Sequence, residues 1–218
     1  MSSVGIDVRP VFEAWINNPR LITRMRRERN RYGSFTNAYY SELVTSKSQS
    51  NRAFCHTQRM LDRPIPLLVD VKISEQLDHL PIDVKILDHG CGCGHTSLSL
   101  AVYLLGTGRR VSMGFEDIAI HRQQFAEYLA ARLGADPLTD HQVHVLVAQE
   151  VLEHEPDPLT TMRQLDRRLL PNGLLLTNIA DHTPSSLHIS CDLSEVRDYV
   201  NQRFTTIDEH RIYIKRKV

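Results

Sequence analysis

Long apolar runs are missing from this chain. Although 41% of its 218 residues are hydrophobic, none of them assemble into the roughly 18 consecutive apolar positions a membrane helix needs, and no charged-then-apolar leader is visible. Neither a membrane span nor a signal peptide is expected. Cysteine is scarce as well: Cys55, Cys91, Cys93 and Cys191 make no dense disulfide framework. Two of them sit in a glycine-rich stretch where a bridge would compete with a ligand, so a reducing, cytoplasmic setting is expected. Charge of one sign is not in excess, with 26 Lys and Arg against 26 Asp and Glu. That balance argues against wholesale coating of nucleic acid. No internal repeat is present, and the length suffices for one core, or one core with a small helical appendage.

What is present centres on residues 84–97, Val-Lys-Ile-Leu-Asp-His-Gly-Cys-Gly-Cys-Gly-His-Thr-Ser. An apolar strand runs into Gly90, Gly92 and Gly94 and then into a helical pattern. Glycine at every second position removes the side chains that would keep a ligand off the backbone, and a strand-to-helix turn presents unpaired N–H groups. Dinucleotide loops read G-x-G-x-x-G; here the third glycine comes one residue early and Asp88 precedes the first. Residues 110–116 read as a second strand ending in Glu116, 22 residues after Gly94, near the spacing at which a carboxylate meets ribose hydroxyls.

The pattern D-x-G-x-G-x-G resembles the first motif of the class I S-adenosylmethionine-dependent methyltransferases. Three further segments agree in order: Glu116 after the second strand, the Glu-Val-Leu-Glu-His run 150–154 after a fourth strand, and Leu-x-Pro-Asn-Gly at 169–173, with Asn172 where the family has glycine. The resemblance covers about residues 84–218. It implies an α/β fold, a doubly wound, mostly parallel Rossmann-like sheet, with S-adenosylmethionine as co-substrate.

Alternation and turn chemistry predict strands at 84–88, 110–116, 143–148 and 173–178, helices at 95–105, 118–133, 158–168 and 192–202, and a closing antiparallel pair near 203–208 and 211–217. Arg163, Arg167 and Arg168 are expected in the last turns of their helix, where cations suit its negative end. The interval between Glu116 and Val143 is short, and helix 118–133 fills most of it. The third strand is therefore predicted to be missing or shortened. It lies at a sheet edge in the family, so its loss exposes an edge at which a second copy could pair, and removes the acid that commonly meets adenine. Asp136, the cap or a partner chain would have to substitute.

Residues 1–80 lack the strand–helix alternation and read as an N-terminal helical cap or substrate lid, with 81–218 as the S-adenosylmethionine-binding domain. Arg20, Arg24, Arg27 and Arg31 form a stripe at helical spacing, either a solvated face or a surface for an anionic acceptor. Tyr32, Phe35, Tyr39 and Tyr40 are either cap core or groups facing the sulfonium.

The resemblance assigns cofactor binding to Asp88, His89, Gly90, Cys91, Gly92 and Gly94 at the methionine end and Glu116 at the ribose. Asp117 and Ile118 flank the adenine, and Gln149 and Glu150 stand beside the transfer site. His154 is the expected general base, with Glu153 and Tyr40 completing the catalytic set. Glu150, Glu153 and His154 also resemble the metal-binding sequence of small-RNA 2′-O-methyltransferases and some ubiquinone-pathway O-methyltransferases. They could hold Mg²⁺ given a further ligand such as His182 or His188, but no metal is assigned. The expected activity is methyl transfer to an oxygen, nitrogen or carbon of a small molecule. Two alternatives keep the fold: cyclisation or aminopropyl-type chemistry on the same donor, and a binding or scaffold protein without catalysis. RNA as acceptor is disfavoured by the neutral charge.

Overall fold

The computed structural model describes residues 71–92, 94–118, 120–183, 188–208 and 211–216. The cap readings, from Arg20 to Tyr40, lie outside the described residues. Among those described, no helix is long and apolar enough to cross a membrane.

Among the described residues, five helices and seven strands follow one another: α1 (Val71–Asp78), β1 (Asp83–His89), α2 (His95–Gly106), β2 (Arg110–Glu116), α3 (Ile120–Leu133), β3 (Asp136–Pro137), β4 (Val143–Ala148), a 3-10 turn (Leu152–His154), α4 (Pro158–Arg168), β5 (Leu169–Thr177), α5 (Ser194–Arg203), β6 (Phe204–Asp208) and β7 (Ile212–Lys215). The strands form one sheet in the order β3-β2-β1-β4-β5-β7-β6. All neighbours are parallel except β5–β7 and β7–β6. This is the doubly wound arrangement expected of a class I methyltransferase, whose switch point falls between β1 and β4.

The central strands are buried on both faces, which is why they read as apolar runs. Along β1, Val84 and Ile86 join one core with Ile73, Leu98, Leu104 and Phe125 from α1, α2 and α3. Leu87 points the other way, into a second core with Leu146, Met162, Leu165, Val196 and Phe204. Each such side chain contributes about 1.5–3 kcal/mol. Local chemistry sets the ends of the helices. Asp157 caps α4, accepting the Thr160 N–H at 2.9 Å with Pro158 in the first turn. Helix α2 stops at Thr107, followed by Gly108 at φ +83°.

Of the two outcomes expected for the third strand, the shortened one is found: Asp136 and Pro137 pair with Ser112 and Met113, and the Leu138 N–H adds a bond to the Met113 carbonyl at 2.9 Å. Gly114 makes this edge possible, because a β-carbon there would come 2.8 Å from Leu138 Cδ2. Strand β5 begins at Leu169 instead of 173. Leu169 pairs with Val143 and Leu174 with Val145, so residues 170–173 bulge out, with Asn172 at φ +61°, a conformation asparagine tolerates. Arg163 lies in mid-helix, 5.8 Å from the Tyr199 ring centre, leaving Arg167 and Arg168 in the last turn.

Candidate active site

The heads of β1, β2 and β4 bring the expected cofactor residues together. Gly90, Gly92 and Gly94 all adopt positive φ, at +66°, +54° and +74°. Two of the three glycines are fixed by packing behind the loop. A β-carbon on Gly90 would meet Val151 Cγ2 at 2.4 Å, and one on Gly94 would meet Ala126 and Phe115 at 2.9 and 3.0 Å. Gly92 differs: its β-carbon position faces open space. The loop therefore presents Gly92 outward at the sheet's carboxyl end, where ligands of such folds bind.

Asp88 lies beneath this loop, buried, and accepts the Ser97 hydroxyl at 2.5 Å. Burial pushes its pKa up to about 7 against the opposing pull of that hydrogen bond, with Asp117 adding like-charge repulsion. Cys91 is a buried small filler whose N–H donates to the Glu116 carbonyl at 3.0 Å. The Gly92 N–H donates to Asp117 Oδ2 at 2.7 Å, so Asp117 reaches the loop itself. Ile118 beside it is exposed.

Glu116, at the tip of β2, is part-exposed and held by an imidazole and a guanidinium. His89 Nδ1–H donates to its Oε2 at 2.9 Å and Arg168 donates to its Oε1. The hydrogen bond from His89, with Arg168 beside it, holds the carboxyl down at about 2 despite partial burial. His89 thus has a definite task, and Arg168 does more than end its helix. No sequence pattern links Arg168 to Glu116, because only the folding of α4 back over the sheet brings them together. A cavity of about 420 Å³ opens beside this pair, lined by Gly114, Glu116, Asp136, Leu138, His141 and Arg168.

At the end of β4, Gln149 accepts the Thr96 hydroxyl at 3.0 Å. Glu150 adopts φ +54°, and its Oε1 accepts the Asn178 amide at 2.5 Å. Asn178 is a partner the sequence gives no reason to expect. Glu153 follows in the 3-10 turn, fully buried, and His154 Nε2 stands 3.7 Å from its Oε1. Burial raises the Glu153 pKa, reinforced by the charge of Glu150 and opposed by the local backbone and by His154 and His182. Tyr40 lies outside the described residues.

Residues 87–177, from β1 to the end of β5, match the methyltransferase domain family. The chain is 29% identical over 112 residues to a ubiquinone biosynthesis O-methyltransferase of Aeromonas salmonicida, a match spanning 47% of this chain and 45% of that protein. It is 26% identical over 175 residues to the protein of the same name from Xanthomonas axonopodis pv. citri, spanning 74% of this chain and 70% of that protein. The match thus spans less than half the length of the first relative. Among solved structures, an O-methyltransferase family 2 protein from Planctomyces limnophilus in complex with apigenin is 12% identical. The likeness covers 86% of this chain and 67% of that one, at a TM-score of 0.46. The likeness to the methyltransferase domain family is carried by residues 87–177.

Proposed function

We propose that this chain transfers the methyl group of S-adenosylmethionine to a hydroxyl oxygen of a small-molecule acceptor. The observation that carries this reading is the open face at Gly92, set between buried Asp88 and the Glu116 carboxylate at the switch point of the sheet. The relatives' name favours oxygen among the nucleophiles the fold admits. A cytoplasmic setting fits the sparse cysteines.

S-adenosylmethionine supplies an activated methyl group on a sulfonium centre. The chain's part is position first, then proton removal. The Gly90–Gly94 backbone wraps the methionine end. Glu116 accepts from ribose hydroxyls, exchanging one of the two donors that hold it now. Asp117, Ile118 and, from the cavity wall, Asp136 meet the adenine. Gln149 and Glu150 border the acceptor. His154 takes the proton from the acceptor hydroxyl, and the Glu153 carboxylate 3.7 Å away steadies the imidazolium that results.

Calorimetry tests the foundation. S-adenosylmethionine and S-adenosylhomocysteine should both bind, and Gly92→Ala should abolish binding while costing only about 1–2 kcal/mol of stability, because its strain is conformational alone. A chain that binds neither compound ends this reading. Incubation with a panel of phenols and catechols should then release S-adenosylhomocysteine; methylthioadenosine would point instead to non-methylating chemistry. His154→Ala should slow turnover by roughly 10²–10⁴-fold with donor affinity unchanged.

A further inference from the structure

Glu153 is 0% exposed, and neither of its carboxylate oxygens takes part in a hydrogen bond. An unanswered buried carboxylate costs several kcal/mol. The chain nevertheless fixes it there from the opposite side. The Glu153 carbonyl accepts the Ile189 and Ser190 N–H groups at 2.8 and 3.0 Å, and the Ser190 hydroxyl donates to the Glu155 carbonyl at 2.8 Å. These bonds tie the segment around residue 189 onto the 3-10 turn. They bring two imidazoles to the carboxylate. His182 Nε2 is buried without a hydrogen-bond partner, 3.9 Å from Glu153 Oε1. His188 donates its Nδ1–H to the Thr183 carbonyl at 3.0 Å, the support by which a metal-binding histidine presents Nε2 as its electron-pair donor. One ligand atom each from Glu153, His182 and His188 lie within 4.8 Å of one another.

We propose that Glu153, His182 and His188 form a binding site for a divalent transition-metal ion of the zinc, manganese or iron(II) class. Ligand atoms about 2.1 Å from a tetrahedral ion stand about 3.4 Å apart, so small side-chain rotations close the cluster. Two imidazoles with one carboxylate suit these ions and not Mg²⁺, which prefers oxygen ligands and keeps its water. The membership also differs from the Glu150, Glu153 and His154 grouping read along the sequence, because Glu150 turns away to Asn178. His154 borders the site, its ring 5.3 Å from that of His188. The site stands on these residues whether or not the chain transfers methyl groups.

The test uses the full chain, stripped by chelator and re-equilibrated with Zn²⁺ or Co²⁺. Elemental analysis should find one ion per chain, and Co²⁺ should give visible ligand-field absorption and paramagnetically shifted imidazole signals. Affinity should fall more than about 100-fold in His182→Ala and in His188→Ala, beyond the loss an outer-shell change produces, while Glu150→Gln keeps one ion. Excess Mg²⁺ should not displace it. Substoichiometric binding, unchanged affinity in either histidine variant, loss in Glu150→Gln, or displacement by Mg²⁺ overturns the proposal. If a histidine variant fails to fold, the shifted imidazole signals of the unmutated Co²⁺ protein decide, and their absence overturns it. S-adenosylhomocysteine affinity on the same samples separates the two proposals: its absence from wild type refutes donor binding and leaves the metal result standing.

Discussion

Asp166 and Glu153 are both buried carboxylates on the same side of the sheet, and the fold treats them in opposite ways. Asp166, in α4, is 3% exposed. Its carboxylate accepts the Tyr199 hydroxyl at 2.7 Å and Arg203 at 2.8 Å, with Lys215 Nζ at 3.0 Å. Burial pushes its pKa up, yet the bonds from Tyr199 and Lys215 and the nearby cations outweigh that, and the net shift is downward. Helices α4 and α5 and strand β7 are thereby tied at one point. Glu153, 0% exposed, has imidazoles near it and no hydrogen bond from any. Asp88 stands between the two, with the single hydroxyl of Ser97. Among the described residues, two cations and a phenol meet the Asp166 carboxylate, whereas Glu153 has only imidazoles, at 3.7 and 3.9 Å.

The largest effect is expected where cations face the carboxylate. Asp166→Asn leaves Arg203 and Lys215 facing a neutral amide and should cost roughly 3–5 kcal/mol in denaturant titration. Because the folded pKa is depressed, the wild-type contribution is present above the unfolded value of 3.8 and lost as pH falls. The variant should therefore show a shallower acid-side decline.

Asp88 reverses the sign. The folded chain keeps its proton up to about pH 7, whereas the unfolded chain releases it near 3.8. Its contribution to stability therefore declines as pH rises through that window, by up to about 4 kcal/mol at ~1.36 kcal/mol per unit. Asp88→Asn should remove that decline and gain on wild type above pH 7. A variant that tracks wild type from pH 4 to 8 would show that Asp88 is ionised throughout.

The smallest effect is expected at Glu153. In chelator-treated protein, Glu153→Gln removes a buried charge that accepts no hydrogen bond, and stability should stay within about 1 kcal/mol of wild type or rise. A loss on the scale of Asp166→Asn would erase the contrast, because it would mean that the imidazoles already neutralise Glu153.

Much of the frame was legible along the chain. Strands β2 and β4 and helix α4 begin and end as expected, since burial alternation and the Asp157–Pro158 cap are local properties. The glycine triplet and Glu116 were legible because close backbone approach demands glycine and the strand–helix repeat fixes the spacing. The two-residue β3 was not, although Gly114 inside β2 carried a hint: a glycine in a strand often marks close approach by another segment, here Leu138. Arg168 and Asn178 lie far in sequence from Glu116 and Glu150, the groups they hold, and nothing local connects them.

Residue order alone determined the alternation of strands and helices, the switch-point loop and the acid that follows it, because each depends on periodicity, capping or backbone freedom within a few residues. Tertiary structure decided which charges are answered. Whether a carboxylate meets a cation, a hydroxyl or only imidazoles beyond hydrogen-bond distance depends on elements far apart in sequence packing onto one another, and in the buried interior of the fold that difference fixes its proton affinity.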